Sequence, residues 1–599
     1  MIRAACFALT LLTAIAAAAA DDLEGLWSSE THFALLRGEL EVTRDGAQWR
    51  ATIADAATTA AVDGASVRLA FPKNRGQFRG TLSADGKVID GFWMQPAGEN
   101  QDDSDTGGSG QPFATPAILR RVRAGVWRGT VAPLHEKFSL YLKVFTNENG
   151  VLVGTFRNPD QNAIGGAPRF RVEHKGDDVR FTIGEAPEII NIDAKLVSPD
   201  RMRVFWREIN RNLELVRRTP EQVPAFFPRP SGEPKYVYRK PPALGDGWRT
   251  ARASEAGLDE AKLAALIQGL IDSDPAGRRP SLIHSLLVAH RGKLVLEEYF
   301  YGYDRETPHD LRSAGKTFSS ILLGSAMMRG SKLSPESHIY DVMAGLGPFA
   351  NPDPRKAQIT LAQLMTHTAG LACNDNDEKS PGNEETMWKQ RGQPNFWKYT
   401  LDLPMAHDPG TRYAYCSANV NLVGGALTVG TKTWLPELFD RRIARPLQFS
   451  RYHWNLTPAG DGYLGGGAYI RPRDLLKVGQ TFLDGGVWNG KRIVDAAWVK
   501  RSTAPYADIN PTTTGLSKEE FGNFYGEGRD GYAWHLGQLT AGGRSYGDYG
   551  ASGNGGQLLI VVPELDLAVV ITGGNYMWGG VWSRWGQDII GGAIIPAIR

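Results

Sequence analysis

The stretch LRSAGKTFSSILLGSAMMRG, Leu311–Gly330, places a serine and a lysine three residues apart at the start of an apolar run. Residues at this spacing lie on one face of a helical turn, and the apolar residues that follow, such as Ile321 and Leu322, keep a helical rhythm. Ser313 would then lie near the positive end of the helix dipole, one turn from Lys316. This arrangement can activate a serine for covalent catalysis without a histidine. Because Ser-x-x-Lys arises by chance about once in a chain this long, other motifs must support it.

Two later stretches suggest the remaining parts of such a site. PGTRYAYCSAN, Pro409–Asn419, has a Pro-Gly turn followed by a short run and a helical segment. YGASGNGG, Tyr549–Gly556, enters a strand through small residues. Small residues let a strand backbone lie close to a substrate, where its N–H groups can donate to an oxyanion.

Length and composition predict a large globular protein of several domains. The chain has 599 residues, 42% hydrophobic and 22% charged, which corresponds to roughly three or four domains. The net charge of +2 gives no indication of a nucleic-acid partner. No cluster with metal-ligand spacing is present in the sequence, so neither a metal nor an organic cofactor is predicted.

The first half contains an internal repeat of about 100 residues. GLWSSE at Gly25–Glu30 recurs as GVWRGT at Gly125–Thr130, and DGASVRLAF at Asp63–Phe71 is matched by KGDDVRFTI at Lys175–Ile183. Short alternating runs between turn signals predict two small antiparallel β-barrels or sandwiches, in residues 21–122 and 123–219. Their role stays open between structural modules and a ligand-binding unit.

The remainder of the chain divides into a linker and one large domain. Residues 220–250 are proline-rich, which predicts a stiff, extended linker. Residues 251–599 begin with a helix and a hairpin turning at Arg291–Gly292, and end with two strands and a helix. A mostly helical region to about residue 540 separates them. The predicted fold is an α/β (α+β) domain in which terminal helices cover an antiparallel sheet and a helical subdomain is inserted.

The N-terminus resembles an export signal. Arg3 precedes a short apolar segment that ends in alanines before Asp21. Removal of residues 1–20 would leave a periplasmic or secreted protein without a membrane span. Cys373 and Cys416 would then remain, either joined in a disulfide or as two free thiols.

Together these motifs resemble the serine β-lactamase and penicillin-binding superfamily, in its class C-like branch. The resemblance covers about the last 345 residues and rests on Ser313-Ala-Gly-Lys316 and on four further stretches: LMTHTAGL (Leu364–Leu371), PGTRYAY (Pro409–Tyr415), GGGAYIRPRDLLKVGQ (Gly465–Gln480) and VWNGKRI (Val487–Ile493). It implies a β-lactamase-like domain that forms an acyl-serine intermediate.

The resemblance also implies roles for particular residues. Ser313 would be the nucleophile, Lys316 the base that takes its proton, and Tyr415 the relay to the leaving group, with Tyr413 as a rival tyrosine. The strand Ala551-Ser552-Gly553 would line the substrate. The backbone N–H groups of Ser313 and Asn554 would form the oxyanion hole. For Lys316 to act as a base, its pKa would have to be lowered by desolvation or by a cationic neighbour.

Two departures from the family pattern change the expected substrate. Ser417 stands where the family usually has the Asn of Tyr-x-Asn, and Ala551 stands where it usually has Lys or His. Both changes remove groups that hold a β-lactam. The variants Tyr-Cys-Ser and Ala-Ser-Gly-Asn-Gly-Gly, together with CNDNDEKSPGNE at Cys373–Glu384, are most similar to the nylon-oligomer (6-aminohexanoate-dimer) hydrolase branch, which cleaves amides and carboxylic esters. Ser417 could bind substrate or cap the following helix.

The resulting hypothesis is an exported serine hydrolase acting on small esters, amides or short peptides. A β-lactamase or D-amino-acid peptidase of the same superfamily is one alternative. A non-catalytic sensor that binds its ligand through the repeats is another. Substrate identity and oligomeric state do not follow from the sequence.

Overall fold

Strands dominate the part of the chain before the linker. The structure, a computed structural model, describes residues 23–97, 112–159, 168–184, 189–389 and 395–599. The predicted signal peptide lies outside these residues. In the described part up to residue 219 there are sixteen strands: β1 (Gly25–His32), β2 (Gly38–Asp45), β3 (Gln48–Ile53), β4 (Ala56–Asp63), β5 (Ser66–Ala70), β6 (Gln77–Leu82), β7 (Val88–Gln95), β8 (Phe113–Arg123), β9 (Val126–Val131), β10 (Lys137–Thr146), β11 (Leu152–Arg157), β12 (Arg169–Lys175), β13 (Asp178–Ile183), β14 (Ile190–Ser198), β15 (Arg201–Trp206) and β16 (Arg211–Arg218).

These strands close into two eight-stranded antiparallel barrels, as the repeat predicts. In the first barrel β2 to β9 pair in sequence, and pairing of β9 with β2 completes the ring. In the second barrel β10 to β16 pair in sequence, and β1 closes the ring between β10 and β16. Alternating inward residues fill each interior with apolar side chains, including Trp93 in the first and Phe156 in the second.

The two barrels exchange their first strands. Strand β1, which carries GLW, belongs to the second barrel, whereas β9, which carries GVW, belongs to the first. A boundary at residue 122 therefore separates the two sequence repeats. It does not separate the two barrels, because each barrel contains one strand from the other side of that boundary. The exchange ties them together, since each barrel is completed by a strand from the other repeat.

The first barrel is joined directly to the C-terminal domain. Strand β8 pairs with β20 (Tyr452–Asn455), which pairs with β21 (Tyr469–Ile470) and through it with β19 (His309–Asp310). Across the same junction, Arg445 forms a bidentate ion pair with Asp90 at 2.6 Å. The short strand β19 immediately precedes the segment that carries Ser313.

The C-terminal domain is built on an antiparallel sheet of eight strands, in the order β18-β17-β29-β28-β27-β26-β25-β24. One face packs against the N-terminal helix and the C-terminal segment, and the other packs against the inserted region. A separate hairpin pairs β22 with β23. The strands of the domain not yet given are β17 (Ile283–His290), β18 (Lys293–Tyr299), β22 (Val487–Trp488), β23 (Lys491–Arg492), β24 (Ala507–Ile509), β25 (Gly528–Asp530), β26 (His535–Ala541), β27 (Arg544–Gly553), β28 (Gln557–Val562) and β29 (Leu567–Gly573).

Most helices of the described residues lie in the inserted region. The α-helices of the described residues, inside and outside that region, are α1 (Glu260–Ile271), α2 (Phe318–Met328), α3 (Ile339–Val342), α4 (Leu361–Met365), α5 (Glu384–Lys389), α6 (Phe396–Asp402), α7 (Ser417–Thr431), α8 (Leu435–Phe439), α9 (Pro472–Leu483), α10 (Ala496–Ser502), α11 (Pro511–Thr514), α12 (Lys518–Phe524) and α13 (Gly579–Trp582). π-helical segments span Asp440–Ala444 and Gly586–Ile594. No helix of the described residues is both long and apolar enough to cross a membrane.

The predicted fold class is confirmed, with differences in detail. The hairpin at Arg291–Gly292 and the strand pair after Gln557 form as predicted. The region expected to be mostly helical up to residue 540 also contributes strands, because β24, β25 and part of β26 extend the central sheet. The final helix is π-helical over Gly586–Ile594.

Candidate active site

Ser313 and Lys316 lie on a 3₁₀-helical turn, Arg312–Thr317, which leads into α2. In a 3₁₀ helix, residues three apart eclipse each other. This brings the Lys316 Nζ within 2.9 Å of the Ser313 Oγ, to which it donates a hydrogen bond. The Lys316 side chain is buried, whereas Ser313 remains partly exposed. A buried amine in contact with an accessible hydroxyl is the arrangement that the sequence motif predicts.

The preceding residues hold this turn in place. Arg312 has a left-handed backbone with φ of 47°, and its N–H donates to Asp310 Oδ1 at 2.9 Å. Its guanidinium forms an ion pair with Asp310 Oδ2 at 2.7 Å and lies over the Tyr576 ring, 4.8 Å from its centroid. Because Asp310 is buried and anchors both backbone and side chain, the entry to the Ser313 turn is constrained.

Tyr415 completes a three-residue cluster with Ser313 and Lys316. The Lys316 Nζ lies 4.9 Å from the centroid of the Tyr415 ring, and both Lys316 and Ser313 act electrostatically on the phenol. The rival, Tyr413, points elsewhere: it is buried, and its hydroxyl donates to Asp530 Oδ2 at 3.0 Å. Tyr415 is therefore the tyrosine that the structure places beside the serine and the lysine.

His367 packs against Tyr415 from behind. The two ring centroids are 4.6 Å apart, and the His367 Nδ1 accepts a hydrogen bond from the Cys416 N–H at 3.2 Å. Burial lowers the pKa of His367 to about 3, so its ring is neutral near pH 7. Its contacts are those of a residue that supports Tyr415.

Opposing effects of burial and of neighbouring groups set the charge state of Lys316. Burial acts to lower the pKa of the ammonium group. Tyr415, Glu384 and Asp375 act in the opposite direction and outweigh burial, so the pKa of Lys316 is raised. The lowered pKa that a resting lysine base would require is therefore not found, because Tyr415 and two carboxyl groups act on the lysine.

Tyr415 is also protonated in the resting site. Burial raises the pKa of its phenol, although Lys316 acts to lower it. Lysine and tyrosine therefore both hold their protons at neutral pH. Either group can accept the Ser313 proton only after losing its own.

The end of β27 packs against the Ser313 turn. A Cβ on Gly553 would contact the Leu311 carbonyl oxygen and lie 3.0 Å from the Ala314 N. Glycine at this position therefore allows the strand to approach the nucleophile closely. The neighbouring Asn554 holds the strand end through its Oδ1, which accepts from the Met577 N–H at 2.8 Å. Ser552 is partly exposed on the same strand and is paired with Leu558.

The two positions that depart from the family pattern are buried. Ala551 is 3% exposed and belongs to the apolar core. Ser417 has no exposed surface, and its hydroxyl lies 2.7 Å from Asp375 Oδ2 and 3.0 Å from Glu384 Oε2. Of the two roles that the sequence left open for Ser417, substrate binding is not supported by this geometry, because the hydroxyl is buried and engaged by carboxyl groups. It is the first residue of α7, and Cys416 is the N-cap.

The structure joins Cys373 and Cys416 in a disulfide with Cα atoms 5.6 Å apart. Cys416 lies between Tyr415 and Ser417, whereas Cys373 precedes the acidic segment that contains Asp375. The bond therefore connects that segment to the Tyr415 strand segment.

Asp375 and Glu384 lie beside this cluster; the stretch that contains them, Cys373–Glu384, carries part of the family resemblance, but the sequence assigns neither residue a role. Asp375 lies in a loop and Glu384 is the first residue of α5, and only the disulfide and the fold bring them beside Ser417. The described residues contain no group of three His, Cys, Asp or Glu side chains arranged to hold a metal ion.

Comparison with known proteins agrees with this geometry. The beta-lactamase family model matches residues 263–573, so the chain belongs to the beta-lactamase family. One relative is the 6-aminohexanoate-dimer hydrolase of Paenarthrobacter ureafaciens, which is 25% identical over 285 residues, covering 47% of this chain and 70% of the relative.

Other relatives have different activities. A beta-lactamase of Escherichia coli (strain K12) is 27% identical over 216 residues, covering 35% of this chain and 51% of the relative. Among solved structures, a family VIII carboxylesterase superposes with a TM-score of 0.43 at 16% identity, covering 59% of this chain and 98% of that chain. The protein is a hydrolase of the beta-lactamase family, and its relatives include a 6-aminohexanoate-dimer hydrolase and a beta-lactamase.

Proposed function

We propose that this protein hydrolyses small carboxylic esters and amides through an acyl-enzyme formed on Ser313. The observation that carries the proposal is the hydrogen bond from the Lys316 Nζ to the Ser313 Oγ at 2.9 Å, beside Tyr415. The similarity to a 6-aminohexanoate-dimer hydrolase supports an amide or ester substrate.

The chemistry proceeds in two steps. The Ser313 Oγ attacks the carbonyl carbon while its proton passes to the Lys316–Tyr415 pair, which has first lost a proton. The pair returns that proton to the departing alcohol or amine, and an ester bond to Ser313 remains. Water then attacks the acyl group, the pair again accepts and returns a proton, and a carboxylic acid leaves. The Ser313 and Asn554 N–H groups would stabilise the oxyanion in both steps.

Two buried positions favour esters and amides over β-lactams. The family strand carries a cation that holds the β-lactam carboxylate, and Ala551 cannot supply one. Ser417 cannot replace the family asparagine, because its hydroxyl is engaged by Asp375. Two carboxyl groups close to Lys316 further disfavour an anionic substrate beside the nucleophile.

Labelling with a fluorophosphonate, together with hydrolysis of p-nitrophenyl esters and small amides, tests the proposal. We expect a covalent adduct on Ser313, identified by mass spectrometry, and turnover that Ser313→Ala lowers by about a thousandfold or more. Nitrocefin serves as the comparison substrate and should be turned over far more slowly than the esters. A folded protein that forms no adduct on Ser313 and turns over no ester or amide would contradict the proposal.

We further propose that the protein acts outside the cytoplasm. The apolar N-terminal segment supports this localisation, as does the Cys373–Cys416 disulfide, since such bonds persist in oxidising compartments. Fractionation of cells that produce the full chain should find the protein, shortened at its N-terminus, outside the cytoplasm. Full-length protein retained in the cytoplasm would contradict this proposal.

A further inference from the structure

Two carboxyl groups meet at one hydroxyl beside the catalytic cluster. Asp375 Oδ2 lies 2.7 Å from both the Ser417 N and the Ser417 Oγ. Glu384 Oε2 approaches the same Oγ from another side at 3.0 Å. The other oxygen of Glu384 accepts a hydrogen bond from the Tyr463 hydroxyl. Each of these polar atoms therefore has a defined partner.

The hydrogen atoms in this arrangement can be counted. Ser417 has one hydroxyl proton and can donate it to only one of the two carboxylates. The Glu384 oxygen that faces Tyr463 accepts, so it does not supply the missing proton. A hydrogen bond at both short contacts therefore requires one further proton, on Glu384 or on Asp375. With that proton the chain of donors and acceptors is complete from Tyr463 to the Ser417 N–H.

The surroundings favour one net negative charge on this pair. Cations face it from the Ser313 turn, where Lys316 and Arg312 interact with it electrostatically. Among the described residues, three phenols also interact with the pair: Tyr415, Tyr463 and Tyr525. Burial and the adjacent Glu384 raise the pKa of Asp375, although Lys316 and Ser417 act to lower it. Two full negative charges this close together are unfavourable out of water.

The backbone fixes the geometry of the pair relative to Tyr415. The Asp375 N–H donates to the Tyr415 carbonyl at 2.8 Å, and the Glu384 N–H donates to Asp375 Oδ1 at 3.0 Å. The disulfide holds the segment two residues before Asp375 to the residue after Tyr415. The carboxyl pair is therefore a fixed part of the site.

We propose that Asp375 and Glu384 share one proton across the Ser417 hydroxyl and act as positioning residues that set the charge of Lys316. The singly charged pair balances one ammonium group. Loss of the shared proton at higher pH adds a second negative charge to the pair. This charge keeps Lys316 protonated up to a higher pH. The effect on catalysis rests on the proposed hydrolase function, whereas the shared proton does not.

The shared proton can be counted by infrared spectroscopy of the full chain at pH 7. Glu384→Gln, Asp375→Asn and the double variant should each lose the signal of one protonated carboxyl group relative to the wild type, and the double variant should lose no more than either single variant. Glu385→Gln, an exposed neighbour on α5, should lose none. Thermal melts confirm that each variant is folded. If no variant loses the signal, or if the double variant loses twice as much, the shared proton is refuted.

The influence on Lys316 is read from the pH dependence of kcat/KM with a p-nitrophenyl ester. In Glu384→Gln the pair cannot gain its second charge, so the rising limb should move to lower pH by about one unit. Glu385→Gln should leave the limb in place. An unchanged limb in Glu384→Gln overturns the role assigned to the pair. If no ester is hydrolysed at all, the hydrolase proposal fails, and the infrared result still decides whether the proton is shared.

Discussion

At the scale of single residues, the chemistry of the site depends on where its protons are held. Lys316 donates to the Ser313 Oγ, and the pKa values of Lys316 and Tyr415 are both raised. The resting site therefore contains an ammonium group and a neutral phenol. A general base appears only when one of them loses its proton, which is a small fraction of molecules at neutral pH.

Hydrolysis should consequently become faster as the pH rises. A base whose pKa is raised is protonated below that pKa, and its active, deprotonated fraction grows with pH. We expect log kcat/KM for a p-nitrophenyl ester to increase by about one per pH unit from neutral into the alkaline range. The rate relative to spontaneous hydrolysis at each pH is the quantity to measure. A profile that is flat or falls over this range would show that the base is already free at neutral pH.

Tyr415 and Tyr413 provide a matched pair of variants. Tyr415→Phe removes the hydroxyl of the ring beside Lys316 and Ser313, and should lower kcat by about a hundredfold to a thousandfold. Tyr413→Phe removes a buried hydrogen bond to Asp530 and should lower stability by about 1–3 kcal/mol with little effect on kcat. Steady-state kinetics and thermal melts separate the two effects. Equal losses of kcat in both variants would refute the relay assigned to Tyr415.

The sequence predicts some residues of the site and their contacts, but not others. The Ser313–Lys316 spacing directly predicts a contact, because helical geometry alone brings the two side chains together. Tyr415 could be assigned only through a family resemblance, since nothing local distinguishes it from Tyr413. The contacts of Asp375 and Glu384 with Ser417 could not be predicted, because they join residues that are 42 and 33 positions apart. The charge of Lys316 depends on these two carboxyl groups, so it could not be predicted from the sequence either.

At the scale of elements, the site is a meeting of one 3₁₀ turn, one strand end and one loop. The turn Arg312–Thr317 positions nucleophile and lysine. The end of β27 lies against it through Gly553. The disulfide-linked loop supplies Tyr415 and the acidic pair. Each element has a separate structural requirement, so a change in one should alter the site without unfolding the others.

Gly553→Ala tests the contact between β27 and the turn. The added Cβ would collide with the Leu311 carbonyl and crowd the Ala314 N–H. We expect the strand to shift from the nucleophile, which should lower kcat/KM at least tenfold and stability by about 1–3 kcal/mol. Gly547→Ala is the control on the same strand, because a Cβ there meets no atom within 4 Å. Comparable activity of the two variants would show that the close approach is not needed.

At the scale of the whole molecule, the barrels and the hydrolase domain form a connected structure. Strand β8 of the first barrel pairs with β20, and that sheet continues to β19, directly before the Ser313 segment. The second barrel also contacts the domain, where Tyr303 donates to the Pro159 carbonyl at 2.5 Å. The repeats therefore support the site from one side, in addition to any binding function of their own.

The repeat in the sequence predicted two barrels but could not assign their first strands. GLW and GVW are nearly equivalent in pattern, so local preference does not determine which barrel each strand completes. That choice depends on long-range pairing, with β1 between β10 and β16 and β9 between β2 and β8. Patterning therefore predicts the number and type of the strands, and tertiary packing selects their partners.

The equivalent tryptophans of the two exchanged strands allow the exchange to be tested. Trp27 on β1 is fully buried in the core of the second barrel, and Trp127 on β9 stacks on Trp49 in the first, with centroids 5.1 Å apart. Each Trp→Ala change should cost about 3–5 kcal/mol. Hydrogen exchange measured by mass spectrometry should then show Trp27→Ala loosening β10–β16, and Trp127→Ala loosening β2–β8. A lost core side chain weakens mainly the strands packed around it. If Trp27→Ala instead loosened β2–β8 and Trp127→Ala loosened β10–β16, each repeat would fold into its own barrel.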